Sequence, residues 1–429
     1  MSARSAATTI FRSLRIRNYR LFTAGQLVSN TGTWMQRIAQ DWLVLALTHS
    51  GIALGVVAAL QFLPILLFSV WGGALADRYR KRVMLMITQS SMGLLAGLLG
   101  ALTLSGAVTV WQIYVFALAL GTVAALDTPA RQSFVVEMVG PEQLQNAVSL
   151  NSANFNLARI VGPAIAGVMI GLFRSEVIGS GWVFLINAVS YAAVVGSLAA
   201  IRVRELLPAK PIERRRGQQI EGFRYLRTRP DLLAVLGTVL IFGAFGLNFP
   251  VLLPLFTTRI FHSGASAYGL LSAIMAVGSL AGALLAAQRG TARIRLVLGG
   301  AVAFGVLEAI SAAMPDFATF ALLLLLTGTA GLTVATTANA VMQTSVTPQL
   351  RGRVMGVYLL VFMGGTPIGS PLVGWMAGSL GVRWTLALCG VATALSAVSA
   401  AYALAWRTDR RIMASVTSRP HLAVVPRTA

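Results

Sequence analysis

The sequence predicts an all-α membrane protein whose twelve transmembrane helices form two pseudo-symmetric six-helix bundles. Three observations carry this expectation. Long apolar spans recur along the chain, the basic residues gather on alternate connections between them, and the second half repeats small-residue patterns of the first. With 56% apolar and 11% charged residues among 429, the chain has too little polar surface for a soluble protein of its length.

The spans fall near 21–47, 52–76, 83–104, 108–126, 147–173, 181–201, 231–257, 267–288, 296–314, 318–341, 354–380 and 385–406. Most match the ~20 residues that a bilayer core requires of a helix. Of the 34 Lys and Arg, 29 lie in the N-terminal segment, after spans two, four and eight, between Ile201 and Pro230, before span eleven, and in the tail. The opposite connections hold only Arg174, Arg259 and Arg383. Short basic loops stay cytoplasmic, so both termini and the long central loop are expected in the cytosol of a multi-pass cell-membrane protein. The expected organisation is a basic N-terminus (1–20), a six-helix bundle (21–201), a linker (202–230), a second bundle (231–406) and a disordered cytosolic tail (407–429). The linker, with Pro208, Pro211, the run Arg214 to Arg216, Phe223 and Tyr225, reads as a cytosolic strap containing some amphipathic helix.

The net charge of +21 is therefore mainly a topology signal. Nucleic-acid binding is excluded because the arginines are spread over seven loops with no soluble module to hold them. The single cysteine, Cys389, lies in the last span and excludes an intrachain disulfide framework. The first apolar stretch is long and studded with polar groups, so no cleavable signal is expected.

The two halves repeat. Gly162, Gly167 and Gly171 match Gly369, Gly374 and Gly378, each 207 apart; Gly73, Ala74 and Leu75 match Gly282, Ala283 and Leu284 at 209; and His49, Ser50, Gly51 recurs as His262, Ser263, Gly264. The pattern implies a parallel duplication about an axis along the membrane normal, whose bundles can rock around a central site. Pairs such as Gly93 and Gly97, Gly278 and Gly282, or Gly374 and Gly378 let backbones approach closely.

Residues 73 to 83, Gly-Ala-Leu-Ala-Asp-Arg-Tyr-Arg-Lys-Arg-Val, follow span two. The string resembles the signature loop of the major facilitator superfamily, usually Gly-x-Leu-Ala-Asp-Arg-x-Gly-Arg-Lys; Arg80 replaces the usual glycine, and Lys81 and Arg82 exchange the basic order. The resemblance extends over the whole chain in span count, central loop and repeat. It implies that Gly73, Asp77 and Arg78 form a conformational latch, with Arg131 and Arg353 as basic partners. The alternative is that the loop's basic residues only fix topology.

A charge near the bilayer centre costs at least ~2.5 kcal/mol, so intramembrane charges are functional candidates. Arg37, Asp41, Arg159 and Glu308 qualify. At about 100° per residue, Asn30, Thr33, Gln36, Arg37, Gln40 and Asp41 share an arc of roughly 140° on span one, a wet stripe expected to line a cavity. Arg37 and Asp41 are spaced to pair, so proton coupling at Asp41 competes with a static ion pair. On span five, Asn151, Ser152, Asn156 and Arg159 share a similar arc; Arg159, near mid-span, should face water, substrate or a carboxylate. Glu308 is either a buried carboxyl with its pKa raised by desolvation, able to carry a proton, or close enough to the outer surface to reach water. Asn30, Gln36, Gln61, Asn156 and Asn248 are the candidates to touch substrate.

Gly162, Pro163 and Gly167 resemble the span-five motif of antiporters in this superfamily, a bent, tightly packed segment that could seal a leak path or simply pack helices. Span four has Ala117 where proton-coupled drug exporters of the superfamily carry an arginine, which leaves Arg159 as the substitute. The stretch Asp127-Thr-Pro-Ala-Arg131-Gln-Ser-Phe, continuing to Asn151, and Gly32-Thr-Trp-Met-Gln36 resemble the superfamily branch of the enterobactin exporter and related drug and siderophore efflux proteins.

No Walker-type phosphate loop is present, so ATP is not the expected energy source. His49, His262 and His421 lack metal-ligand spacing and assemble no nucleophile triad. Neither an enzyme nor a cofactor or metal is expected. The expectation is a monomeric secondary transporter, a proton-coupled exporter of a hydrophobic or amphipathic small molecule, with a facilitator or importer as the competing transport reading and a non-transporting receptor as the remote one.

Overall fold

The computed structural model describes residues 11–207, 218–288, 292–407, 410–415 and 421–426. Its order is α1 (Arg17–Thr48), α2 (Gly51–Arg78), α3 (Lys81–Leu104), α4 (Val110–Gly171), α5 (Glu176–Ala199), α6 (Gln218–Arg227), α7 (Pro230–Ile241), a π-turn (Phe242–Gly246), α8 (Phe249–Arg259), α9 (Ala265–Gln288), α10 (Ile294–Ala312), α11 (Phe317–Thr344), α12 (Pro348–Ser379) and α13 (Val382–Arg407). Two strands, β1 (Arg410–Ser415) and β2 (His421–Pro426), pair antiparallel in the tail, where composition predicts no fixed structure. In the linker, α6 supplies the helix expected there, and Arg214 to Arg216 lie outside the described residues.

Among the described residues ten helical spans are long and apolar enough to cross a membrane, with α7, the π-turn and α8 counted as one (Pro230–Arg259). The twelve expected passes are recovered from two of their features. The 62-residue α4 is broken at Gly140, whose φ of 70° and ψ of 175° precede Pro141. Glycine tolerates that left-handed φ, and proline withholds the N–H a continuing helix would need. The chain reverses there. Before the break, Phe134 packs on Phe22 and Arg131 donates to Gln26; after it, Tyr19 donates to the Ala147 carbonyl and Asn154 to that of Thr23. One arm of α4 is thus antiparallel to α1 and the other parallel, giving two passes, α4a and α4b. The twelfth is α1 itself, 32 residues long and, because of its polar stripe, outside the ten.

By contacts, one compact unit comprises residues 1–214, 250–276 and 370–378, and the other 215–249, 277–369 and 379–429. In the first, α1 packs against α4 and α5, α2 against α4, and α3 against α5. In the second, α10 packs against α11 and α13. One end of the first unit is closed by an apolar cluster that includes Tyr19, Phe22, Leu85, Phe134, Met138 and Leu198.

The sequence repeat is a structural one. Gly162 seats against Thr31 and Trp34 of α1, and its counterpart Gly369 against Ala244 of the π-turn. Gly167 abuts Gly269 of α9, and its counterpart Gly374 abuts Gly51 of α2. His49 (φ 51°) and His262 (φ 48°), in the repeated triplets, are the non-glycine residues with left-handed backbone among those described.

Candidate functional site

The polar stripe of α1 lines two cavities in the first unit. The larger, about 280 Å³, lies between Asn30 and both arms of α4, which contribute Thr128, Arg131, Gln132, Asn151, Ser152 and Asn156. The smaller, about 90 Å³, is lined by Thr33, Gln36, Arg37 and Gln40, by Gln61 and Phe62 of α2, and by Tyr191 of α5. Asn30 and Asn156 line the larger cavity, and Gln36 and Gln61 the smaller. Asn248 lines neither cavity: it is buried and donates to the Ala244 carbonyl one turn back.

A hydrogen-bonded network fixes the stripe against α5. Asn187 donates to Gln36 Oε1, Ser190 donates to Asn187 Oδ1, and the hydroxyls of Thr33 and Tyr191 stand 3.1 Å apart. Gly32 makes the close approach possible, since a Cβ there would collide with Asn187 and Ser190. Buried amides left unpaired cost free energy, and Gln40 Nε2 is one such group among the described residues.

The four intramembrane charges have distinct surroundings. Arg37 and Asp41 form no ion pair, although their spacing allows one. Arg37 lies over the Trp34 ring, its guanidinium carbon 4.7 Å from the centroid, and Arg159 approaches the same ring at 5.7 Å. Asp41 instead accepts a hydrogen bond from the Tyr268 hydroxyl of α9 at 2.9 Å, so the static pair gives way to a longer-range contact. Glu308 of α10 is 1% exposed, and neither of its oxygens has a hydrogen-bond partner among the described residues. It does not reach the surface.

Around Asp41, the far end of the first unit is closed by a seam. Trp42 stacks on Tyr268 and donates its indole N–H to Glu176 at 2.8 Å. The other Glu176 oxygen accepts from the Ala265 amide at the start of α9, and Ser266 donates to the Gly167 carbonyl. Arg259 donates to the carbonyls of His49 and Ala377. Pro163 and Gly167 belong to this seam, whereas Gly162 seats against α1: Gly269 meets the Pro163 carbonyl, and a Cβ on Gly167 would lie 2.9 Å from Gly269 Cα.

At the opposite end, Asp77 is half-buried in the last turn of α2 and Arg78 is exposed. Gly73 is buried, and beside it Gly72 makes a close approach to the Ala125 carbonyl of α4. Arg131 faces Asp127 of its own helix at 3.4 Å and donates to Gln26 of α1. Lys81 pairs with Glu137 at 2.7 Å, and Arg82 donates to the carbonyls of Leu198 and Ala199. Arg353 is half-buried in the first turns of α12.

Sequence reasoning missed four residues of the site. Asp127 is 1% exposed and accepts from Thr88 and Gln89; the expected span ended one residue before it, and the signal was the polar Thr88 and Gln89 inside span three. Asn187 is a lone amide in an apolar helix and could have been found the same way. Tyr268 and Glu176 carried no local signal, because their partners are 227 and 134 residues away.

A family model described as transmembrane secretion effector matches residues 8–424. The chain is 27% identical to the Staphyloferrin A transporter of Staphylococcus aureus, over 84% of this chain and 90% of that protein. It is 30% identical to the multidrug efflux pump Tap of Mycolicibacterium fortuitum, over 85% and 90%. Its fold is similar to the crystal structure of a bacterial homolog of the human lysosomal transporter Spinster in an inward-facing and occupied conformation, with a TM-score of 0.72, 15% identity and coverage of 91% and 97%.

Proposed function

The chain belongs to the transmembrane secretion effector family of the major facilitator superfamily and is a multi-pass membrane transporter, and from that premise we propose that it exports an amphipathic small molecule in exchange for protons. The substrate class is a drug, a siderophore or a secondary metabolite. The observation that carries this reading is the wet stripe of α1, which lines both cavities and ends on Asp41 at the Tyr268 seam. A protonatable group tied to a seam can convert proton binding into opening. When Asp41 takes a proton, the Tyr268 hydroxyl loses a charged acceptor, and hydrogen bonds to charged groups are the stronger kind. Arg37 and Arg159 tune release of that proton, and Glu308 is the second candidate to carry one. A proton moving through ~100 mV contributes about 2.3 kcal/mol before any pH gradient is added.

The basic connections orient both termini toward the cytosol of the cell membrane, so the seam of Asp41 and Glu176 faces outward. Gly162, Pro163 and Gly167 close the leak path there. Gly73, Asp77 and Arg78, with Arg353, act as the latch of the cytosolic side, and Arg131 supports it through Asp127. The transporter works as a monomer by alternating access.

Inverted membrane vesicles test the reading. A panel of amphipathic drugs and siderophores is added outside acid-loaded vesicles, and lumenal pH and compound uptake are followed together. Export by exchange predicts substrate-dependent proton release coupled to uptake. Uptake that is indifferent to the gradient indicates a facilitator, proton and substrate moving in one direction an importer, and no flux with any compound a receptor; each would overturn the proposal.

A further inference from the structure

We propose that the substrate is an amphipathic organic anion, and that Arg37 and Arg159 form a clamp which holds its oxyanion beside the Trp34 ring. The inference rests on the transporter reading and specifies its substrate class.

Two guanidinium groups share one indole in the middle of a membrane-spanning bundle, at 4.7 and 5.7 Å from its centroid. Like charges this close repel one another, and each is costly to hold inside a membrane. Their π contact with Trp34 offsets only part of that cost, since a cation on an aromatic face gains less than its removal from water loses. The remaining cost calls for a carboxylate, and Asp41, one turn along α1, offers Arg37 only a charge at a distance. Neither arginine forms an ion pair among the described residues, and the nearest acidic group along α1, Asp41, accepts from Tyr268 instead. The smaller cavity has the same character: Arg37 is lined there by Thr33, Gln36, Gln40, Gln61 and Tyr191, and by no aspartate or glutamate.

This surface suits a ligand that brings its own negative charge. A planar carboxylate, or a comparable oxyanion, can accept from guanidinium donors in the paired geometry that arginine favours. Trp34 meets Phe155 edge to face at 5.6 Å, and Phe62, Ile65, Met92 and Leu120 line the smaller cavity, so an apolar or aromatic body has a place beside the charged head. A cationic amphiphile would face the same cations with no carboxylate to receive it.

Three probes that share a fluorophore decide the matter on the purified full chain in nanodiscs: dansylglycine (anionic), dansylamide (neutral) and dansylcadaverine (cationic). The expected result is that dansylglycine binds at least ten-fold more tightly than either of the others. Arg37→Gln and Arg159→Gln each reduce that preference several-fold, the double variant abolishes it while leaving dansylamide binding in place, and Arg37→Lys and Arg159→Lys retain part of it. Equal or tighter binding of dansylcadaverine, no binding of dansylglycine, or a preference that survives in the double variant would overturn the proposal. Should the double variant fail to fold, the ranking of the three probes on the unmodified chain decides alone. The assay has one compartment and no gradient, so its outcome is separate from that of the vesicle experiment: an exporter of cations would pass there and fail here.

Discussion

The two compact units share a backbone plan and differ in what they bury. In the first, α1 carries Gln36, Gln40 and Asp41 below 9% exposure; Gln36 accepts from Asn187 and Asp41 from Tyr268. In the second, the one buried acidic group among the described residues is Glu308, whose oxygens find no partner. The glycine seats are nonetheless alike, with Gly162 against α1 and Gly369 against the π-turn. Duplication thus kept the packing and let the chemistry diverge: close helix approach recurs in both units, whereas the buried acidic groups have different surroundings.

If packing is the shared element, disturbing it should cost the same in both units. Gly162→Val and Gly369→Val should each destabilise by about 3 kcal/mol, because an added side chain meets backbone that cannot yield. Thermal unfolding in detergent would show it. Gly378→Ala, with open space around its Cβ position, should stay within about 0.5 kcal/mol of the unmodified chain. A tolerated valine at either seat would separate the two units.

Where the chemistry differs, the same substitution should act with opposite sign. Asp41→Leu leaves the Tyr268 hydroxyl buried without its acceptor and should cost about 1–3 kcal/mol, whereas Glu308→Leu removes an unsatisfied carboxyl and should stabilise by a similar amount. Melting temperatures that fall in both would mean that Glu308 has structural work like that of Asp41. A comparable effect, about 1.5–3 kcal/mol, is expected of Tyr268→Phe, which deletes the hydrogen bond to the Asp41 carboxylate and keeps the stacking on Trp42.

The passes, the repeat and the superfamily were legible in the sequence because each is a local or periodic signal. Hydropathy showed the spans, a constant separation of about 207 residues paired Gly162 with Gly369 and Gly167 with Gly374, and residues 73 to 83 carried the family pattern. The cavity side of α1 was legible too, since helical geometry alone puts Asn30, Gln36 and Arg37 on one face. What helical spacing misjudged was partnership. An i,i+4 interval permits an Arg37 to Asp41 pair, but the carboxylate reaches another helix and the guanidinium an aromatic ring. Asp127 was placed outside its span because hydropathy falls at a charge, whereas the helix continues and Thr88 and Gln89 receive it. Tertiary partners of this kind leave no mark on one helix's periodicity.

Proton-driven flux through Asp41→Asn and Glu308→Gln, each in inverted vesicles beside the unmodified chain, tests the coupling account most directly. The account predicts that Asp41→Asn lowers gradient-driven transport at least ten-fold, equivalent to about 1.4 kcal/mol, with a smaller loss in Glu308→Gln. Unchanged gradient-driven transport in both variants would contradict it.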